Sequence, residues 1–148
     1  MENYRSIFQT LNRRFGLLNK NCCQVGGAEL SLIQSHILFE IDHDKQPLMN
    51  QVAERLGIDM STFSRQIQTL IKMGLVTKSQ HSEDKRAFIL SLTTEGKYVA
   101  TAISTDMNQY LEEVFSHMSE FEKEVVIKSV KLLNESMAKS TVCCKPMY

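Results

Sequence analysis

One polar helix face in this 148-residue chain combines cations, hydroxyls and amides without any carboxylate. In the segment Met60 to Met73, apolar residues recur at helical spacing and are expected to face inward: Phe63, Ile67, Leu70 and Ile71. The outward face then consists of Ser61, Thr62, Arg65, Gln68, Thr69 and Lys72. Such side chains donate hydrogen bonds to the phosphates and base edges of DNA. We expect Arg65 and Gln68 to reach bases and the other four to contact phosphates; an ordinary solvated helix face, which usually mixes both charge signs, is the alternative.

A charged loop between two β-prone runs supplies a second set of cations. The runs are Leu75 to Ser79 and Ala87 to Leu92, and they predict a hairpin. At its tip, Asp84 is expected to accept a hydrogen bond from Arg86 and to orient the guanidinium toward a minor groove. Lys78 and Lys85 would add phosphate contacts. Charge patterning alone also fits a solvated hairpin loop.

Four cysteines form two adjacent pairs, Cys22-Cys23 and Cys143-Cys144. In a reducing compartment such cysteines do not usually form structural disulfides. A site that combined three or four of these thiolates would suit zinc, cadmium or copper(I), or trivalent arsenic or antimony. The alternatives are a thiol-based oxidant sensor and buried cysteines that act as small hydrophobes. The four histidines lack metal-binding spacing and are interpreted as ordinary surface or cap residues.

The elements that position these residues follow the order of a winged helix-turn-helix. A short helix is predicted from Leu48 to Leu56, with Pro47 at its first position, and Ile58 and Asp59 bridge it to the helix that starts at Met60. The predicted hairpin follows directly. In this arrangement the second helix enters the major groove of DNA. We therefore assign residues 30–93 to a DNA-binding region and expect a mainly α fold with a small β-hairpin wing.

Local signals mark where the helices begin and end. Capping boxes are predicted for Ser31 with Gln34, opening a helix that runs to about His43, and for Ser119 with Glu122. Helix stops are predicted at Gly57 and Gly74. The first helix ends near Asn21, and residues 22–28 are a break because they contain two adjacent glycines.

Three long amphipathic helices lie outside the DNA-binding region, at residues 4–21, 94–118 and 119–139. Their apolar stripes lack a partner in that region, which predicts a homodimer. We interpret residues 1–148 as a single protomer. The helices within residues 1–23 and 94–139 are assigned to dimerisation, and residues 140–148 are a cysteine-containing tail. Two-fold symmetry would place the recognition helices in successive major grooves, roughly 34 Å apart. The operator is then an inverted repeat.

The composition limits the classes of function. Seventeen Lys and Arg balance seventeen Asp and Glu, so contact with DNA must come from a local patch. No apolar run approaches the roughly 20 residues that cross a bilayer, and we expect a soluble cytoplasmic protein that folds without a cofactor. Signature motifs of phosphate-binding loops, serine hydrolases and zinc proteases are missing, so an enzyme is not expected. A docking module that uses the fold without DNA remains an alternative.

Several short motifs occur in one order: Leu30-Ser31-x-x-Gln34, Val52-Ala53-x-x-Leu56-Gly57, Ser61 to Arg65, Gly74-Leu75-Val76, Asp84-Lys85-Arg86 and Leu92-Thr93-x-x-Gly96. This series resembles the MarR (multiple antibiotic resistance regulator) family over most of the chain. The resemblance implies a two-fold dimer built from the first, fifth and sixth helices, a wing arginine at Arg86 steadied by Asp84, a pseudopalindromic operator and repression as the usual outcome. It also implies that the first and last helices pack together, so that the two cysteine pairs can meet.

Binding at those cysteines would release the operator by moving the recognition helices out of register. The family resemblance does not decide the signal, because its members answer to diverse signals. An aromatic ligand in a cleft between the dimer helices and the DNA-binding region is the other alternative.

Overall fold

The computed structural model describes residues 3–22, 24–25 and 28–140. Within them it contains α1 (Tyr4–Cys22), β1 (Gln24–Val25), β2 (Ala28–Glu29), α2 (Leu32–Asp44), α3 (Met49–Leu56), α4 (Met60–Lys72), β3 (Val76–Gln80), β4 (Phe88–Leu92), α5 (Thr94–Ser116) and α6 (Glu120–Lys139). The mainly α fold with a small antiparallel wing is confirmed. The structure differs from the break predicted at residues 22–28. Helix α1 continues to Cys22, and the two-residue strands β1 and β2 pair antiparallel.

Helix ends that were predicted from contacts between neighbouring residues are confirmed. Ser31 N–H donates to Gln34 Oε1 at 2.9 Å, and Gln34 N–H donates back to Ser31 Oγ at 3.2 Å. The equivalent box at the start of α6 joins Ser119 to Glu122. Gly74 ends α4 at φ +74°, a left-handed conformation that glycine adopts without steric strain.

The start of α3 departs from the sequence prediction. The helix begins at Met49 with Leu48 as its N-cap, and Pro47 lies before the helix rather than at its first position. Leu90 N–H donates to Pro47 O at 3.0 Å, and Leu48 forms an isolated antiparallel bridge with Ile89 of β4. Because the backbone at 47–48 extends to pair with the wing, it cannot also enter the helix. The wing is thereby attached to the start of α3.

The core lies between α2, α3, α4, the wing and the first half of α5. Its fully buried side chains are Phe63, Ile37, Leu38, Ile67, Leu70, Leu90, Val52, Val76 and Val99. Ile71 was expected to face inward as well, but 37% of it is exposed. Leu70 occupies the inward position, and the next helical residue is rotated by about 100° away from it. The expectation for Ile71 is therefore wrong.

The first turn of α5 is fastened to the end of α4. The hydroxyl of Thr93 donates to Gly74 O at 2.6 Å and accepts from Gly96 N–H at 2.9 Å. Thr93 N–H donates to Leu75 O at 3.0 Å. Gly96 lies so close to this carbonyl that an added Cβ would be 1.9 Å from the oxygen. The absence of a side chain at Gly96 therefore allows α5 to pack directly on the segment that leads into the wing.

Two of the flanking helices leave large apolar side chains uncovered. On α1, Ile7, Phe8, Leu11 and Phe15 are between 45% and 48% exposed. Along α6, where all 20 residues are described, none is buried, and Phe121 is 74% exposed. Both helices therefore present the apolar stripes predicted from their spacing, but neither stripe is covered within the described chain.

Candidate nucleic-acid interface

Helix α4 presents the predicted polar face to solvent. Arg65, Gln68 and Lys72 are exposed, as are Ser61 and Thr69, and Thr62 is half-buried. Phe63, Ile67 and Leu70 on the opposite side are buried in the core and fix the rotation of the helix. Among the described residues, no carboxylate forms an ion pair with Arg65. Its guanidinium is therefore available to a ligand in solution.

Two hydroxyls on this face already donate hydrogen bonds within the chain. Ser61 Oγ donates to Asp59 Oδ1 at 2.5 Å, and Thr69 Oγ1 donates to Arg65 O at 3.1 Å. A hydroxyl has one proton, and a phosphate oxygen can only accept. The phosphate contacts predicted for Ser61 and Thr69 would therefore require each hydroxyl to turn away from its present acceptor.

Asp59 is the residue at this face that sequence reasoning missed, because it was interpreted only as part of a bridge. Its side chain caps α4 by accepting from Thr62 N–H at 2.9 Å. The hydrogen bonds from Ser61 and then Thr62 hold the pKa of Asp59 well below its ordinary value of 3.8. The carboxylate is thus ionised at neutral pH, at the N-terminal edge of a face that otherwise has no acid. Aspartate immediately before a helix is the signal that identifies such a cap.

The wing tip is ordered by Asp84, though not as predicted. Asp84 Oδ1 accepts from the main-chain N–H of Arg86 at 3.0 Å, and Ala87 N–H donates to Asp84 O at 3.0 Å. Among the described residues, no ion pair joins the Asp84 carboxylate to the guanidinium of Arg86. The expectation of a direct contact with the guanidinium is wrong: the aspartate shapes the turn, and the exposed Arg86 side chain extends from it.

Arg86 of the wing and the start of α4 line one cleft. This cleft of about 270 Å³ is lined by Met49, Asn50, Met60, Asp84, Arg86, Ala87 and Phe88. Met60 is the first residue of α4, and Asn50 lies in the first turn of α3. The structure therefore brings Arg86 beside the start of α4, so the two predicted parts of the interface adjoin. Asn50 is exposed there and was not predicted from sequence.

The remaining wing cations lie on the outer surface of the hairpin. Both Lys78 and Lys85 are exposed. Lys78 Nζ lies 4.4 Å from the ring centroid of Phe88, which holds its stem across the two strands. Lys85 is in the turn, where its carbonyl accepts from Gln80 Nε2 at 3.2 Å. Both ammonium groups are placed to add positive charge to the wing surface.

A pair of glutamines fastens α4 to α2. Gln34 Nε2 donates to Gln66 Oε1 at 3.1 Å, while the other polar atom of Gln34 closes the capping box. Gln34 is buried and Gln66 is half-buried. Because Gln66 lies between the outward Arg65 and the inward Ile67, this bond also restrains the rotation of α4.

A second cleft lies between α2 and α5, away from the polar face of α4. It has a volume of about 340 Å³ and is lined by Leu32, Ser35, His36, Phe39, Glu40, Ala100, Ile103, Ser104, Met107 and Asn108. Glu40 Oε2 accepts from Arg55 Nη1 of α3 at 3.0 Å, and Arg55 Nη2 pairs with Asp44. The hydrogen bonds that Arg55 donates to Asp44 and then to Glu40 raise the pKa of Arg55 above its ordinary value. His36, interpreted as an ordinary surface residue, lines this cleft.

Most of the predicted thiol site lies outside the described residues. Cys22 is the last residue of α1, and Cys23, Cys143 and Cys144 lie outside the described residues. Within residues 3–22, 24–25 and 28–140, no group of three or more histidine, cysteine, aspartate or glutamate side chains is arranged to hold a metal ion. None of the described helices is both long and apolar enough to span a bilayer.

Part of the chain matches a known family. Residues 28–87 match the model described as MarR family. The match begins before α2 and ends just before β4, so it contains the whole of α4 and the wing tip.

Two relatives and one solved structure extend the comparison. HTH-type transcriptional regulator BilQ of Clostridium symbiosum is 26% identical over 139 residues, which cover 92% of this chain and 94% of that protein. HTH-type transcriptional repressor YetL of Bacillus subtilis is 28% identical over 103 residues, which cover 69% of this chain and 60% of YetL. The crystal structure of Streptococcus pneumoniae FabT in complex with DNA superimposes with a TM-score of 0.81 at 20% identity, covering 92% of this chain and 98% of that one.

Proposed function

We propose that this protein is a cytoplasmic repressor that binds an inverted-repeat operator as a homodimer. The proposal starts from the family: the chain belongs to the MarR family of DNA-binding transcriptional regulators and is not an enzyme. The observation that carries this proposal is the carboxylate-free face of α4 with Arg86 of the wing beside the helix start. The exposed cations of α4 and of the wing match the phosphates and base edges of double-stranded DNA. The similarity to YetL, which is named as a repressor, supports the direction of regulation.

The exposed stripes of α1 and α6 support the homodimer. Ile7, Phe8 and Leu11 lie on one side of α1, and Phe121 and Val130 are exposed on α6. Full burial of an exposed side chain of this kind contributes about 1.5–3 kcal/mol, and the half-exposed ones contribute about half of that, so a shared interface of several of them stabilises a dimer. Two-fold symmetry then presents two copies of α4 to successive major grooves, roughly 34 Å apart.

Selection of binding sites from random duplex DNA tests both parts of the proposal. We expect full-length protein to enrich two inverted half-sites whose centres are about 10 base pairs apart. The variant Phe8→Asp places a charge on the α1 stripe and should lose the dimer mass and the two-fold site. Its matched control, Gln9→Asp, places the same charge on a neighbouring exposed position and should retain both. A single unrepeated motif, bound equally by the wild type and both variants, would refute the dimeric mode.

We further propose that binding of a thiophilic metal or metalloid to the cysteine pairs releases the operator. The support is the adjacency of Cys22 with Cys23 and of Cys143 with Cys144, together with the position of Cys22 at the end of α1. Clustered thiolates prefer soft ions. Such an ion shifts the equilibrium only if it binds the DNA-free conformation more tightly.

Operator release by reduced protein distinguishes the possible signals. Arsenite, zinc and peroxide are each added to the complex of protein with its selected operator, beside a variant with all four cysteines changed to serine. Release by arsenite or zinc from the wild type alone is the expected result. Release by peroxide alone would indicate an oxidant sensor, and indifference to all three would make the cysteines structural.

A second candidate signal is a small molecule bound between α2 and α5. The specific observation is the apolar cleft of about 340 Å³, whose lining residue Glu40 also pairs with Arg55 of α3. A ligand that engaged Glu40 would therefore act on an ion pair that joins the cleft to the helix-turn-helix. A response to such a ligand that survives in the all-serine variant would favour this signal over the thiols.

A further inference from the structure

We propose that the cleft between α2 and α5 selects a planar apolar molecule that carries a protonated amine, and that Glu40 binds the amine. This inference rests on the second candidate signal and specifies the chemical class of its ligand. It depends on the shape and wall of the cleft, on the net charge beside it and on the unused hydrogen-bonding capacity of Glu40.

The wall of the cleft is mostly apolar. Leu32 and Phe39 from α2 face Ala100, Ile103 and Met107 from α5. Phe39 is 55% exposed although it lines a concave surface, and its ring stacks on the ring of His43 with an interplanar angle of 8°. A volume of about 340 Å³ is at the lower end of ligand pockets and suits a molecule of one or two rings.

The charge beside the cleft is negative. Among the described residues that line it, Glu40 is charged and neither lysine nor arginine is present. The only described cation that pairs with Glu40 is Arg55, which is shared with Asp44. One positive charge divided between two carboxylates leaves the group with a net charge of −1. A ligand carboxylate would therefore be repelled, whereas an ammonium would be attracted.

Glu40 also has capacity for another hydrogen bond. Its Oε2 accepts from Arg55 at 3.0 Å, and its Oε1 receives no hydrogen bond from any described residue. An ionised carboxylate offers about four acceptor positions, so the ion pair with Arg55 does not saturate it. The side chain of Glu40 is 20% exposed, so an ammonium bound there is partly shielded from water. His36, Ser104 and Asn108 provide neutral polar groups that orient the rest of the ligand.

Three indoles whose short 3-substituents carry a positive, a zero or a negative charge test the proposal. They are tryptamine, which is a cation, 3-methylindole, which is neutral, and indole-3-acetate, which is an anion. The protein has no tryptophan, so indole fluorescence anisotropy reports the probe alone when excitation avoids the four tyrosines. We expect tryptamine to bind at least tenfold more tightly than indole-3-acetate, with 3-methylindole between them. Equal affinity for the amine and the acid, or no rise in anisotropy with any probe, overturns the proposal.

Three variants test whether Glu40 causes the preference for the amine and whether the probes bind in the cleft. Glu40→Gln keeps an acceptor for Arg55 but removes the charge, and it should abolish the preference for tryptamine. Glu54→Gln removes the same charge from an exposed position of α3 and should leave the preference intact. Ser104→Leu fills the cleft and should weaken all three probes equally. A preference that persists in Glu40→Gln places the amine elsewhere and overturns the proposal. Operator binding is measured on the same preparations without indole, so failure of the ligand proposal is distinguishable from failure of DNA binding.

Discussion

Changing Arg65 and Arg86 together to alanine is expected to weaken operator binding at least a hundredfold while leaving the dimer folded. Both guanidiniums are exposed, and no described carboxylate pairs with either. An arginine that contacts a base contributes roughly 1–3 kcal/mol, and a dimer presents each arginine twice. Neither side chain packs in the core, so the loss should appear in affinity and not in stability.

The measurement is fluorescence anisotropy of a labelled operator over a series of salt concentrations. The matched control is Lys131→Ala with Lys139→Ala, which removes two charges from exposed positions on α6. If the effect were only one of net charge, both double variants would lose the same affinity. The arginine variant should also show a shallower dependence on salt wherever an arginine contacts a phosphate. Unchanged affinity in the arginine variant would instead favour a docking module that does not use this surface for DNA.

Gly96→Ala is expected to destabilise the fold by about 3 kcal/mol, which is a fall of roughly 6–12 °C in the melting temperature. The new Cβ would lie 1.9 Å from Leu75 O and 2.9 Å from Leu75 C, both of which belong to the backbone. A flexible side chain could rotate away from such a clash, but this carbonyl is held by Thr93 N–H at 3.0 Å. Relief therefore requires the first turn of α5 to move away from the segment that joins α4 to the wing.

Gly74→Ala is the matched control because it is the same substitution nearby, with a different physical consequence. No atom lies within 4 Å of a Cβ added at Gly74, and its only penalty is the left-handed φ of +74°. That conformation costs about 1–2 kcal/mol for an alanine. Urea unfolding of both variants should rank Gly96→Ala as clearly the less stable. Equal losses would mean that the contact with Leu75 relaxes at no cost.

Features whose partners lie close along the chain were predictable from residue types and spacing. The capping boxes at Ser31 and Ser119 each join residues three positions apart, so residue types and spacing specify them. Gly57 and Gly74 stop helices because their left-handed backbone is a local property. The core face of α4 followed from helical spacing, except at Ile71, where the edge of the stripe was assigned to the wrong side.

Features that depend on pairing between distant residues were not predictable in this way. Pro47 and Leu48 fit a helix start by local rules, but pairing with β4 draws them into an extended backbone. Asp84 was assigned to the correct turn, yet which atom of Arg86 it binds depends on the three-dimensional path of that turn. A sequence pattern predicts that two groups are close but does not predict the direction of the hydrogen bond between them.

A cleft between the dimer helices and the DNA-binding region was an alternative from sequence, but the residues that line the two clefts were not predicted, for the same reason. Gln34 and Gln66 are 32 residues apart, and Glu40 and Arg55 are 15 apart, with nothing in their spacing to pair them. The apolar stripe of α5 predicts burial, but the gap left between α5 and α2 depends on how the two helices pack. Apolar spacing and β-prone runs are local properties of the chain, so the sequence alone predicted α4 and the wing. Contacts between elements form only in the folded chain. They include the walls of the cleft, the ion pair of Glu40 with Arg55 and the position of Arg86 beside α4.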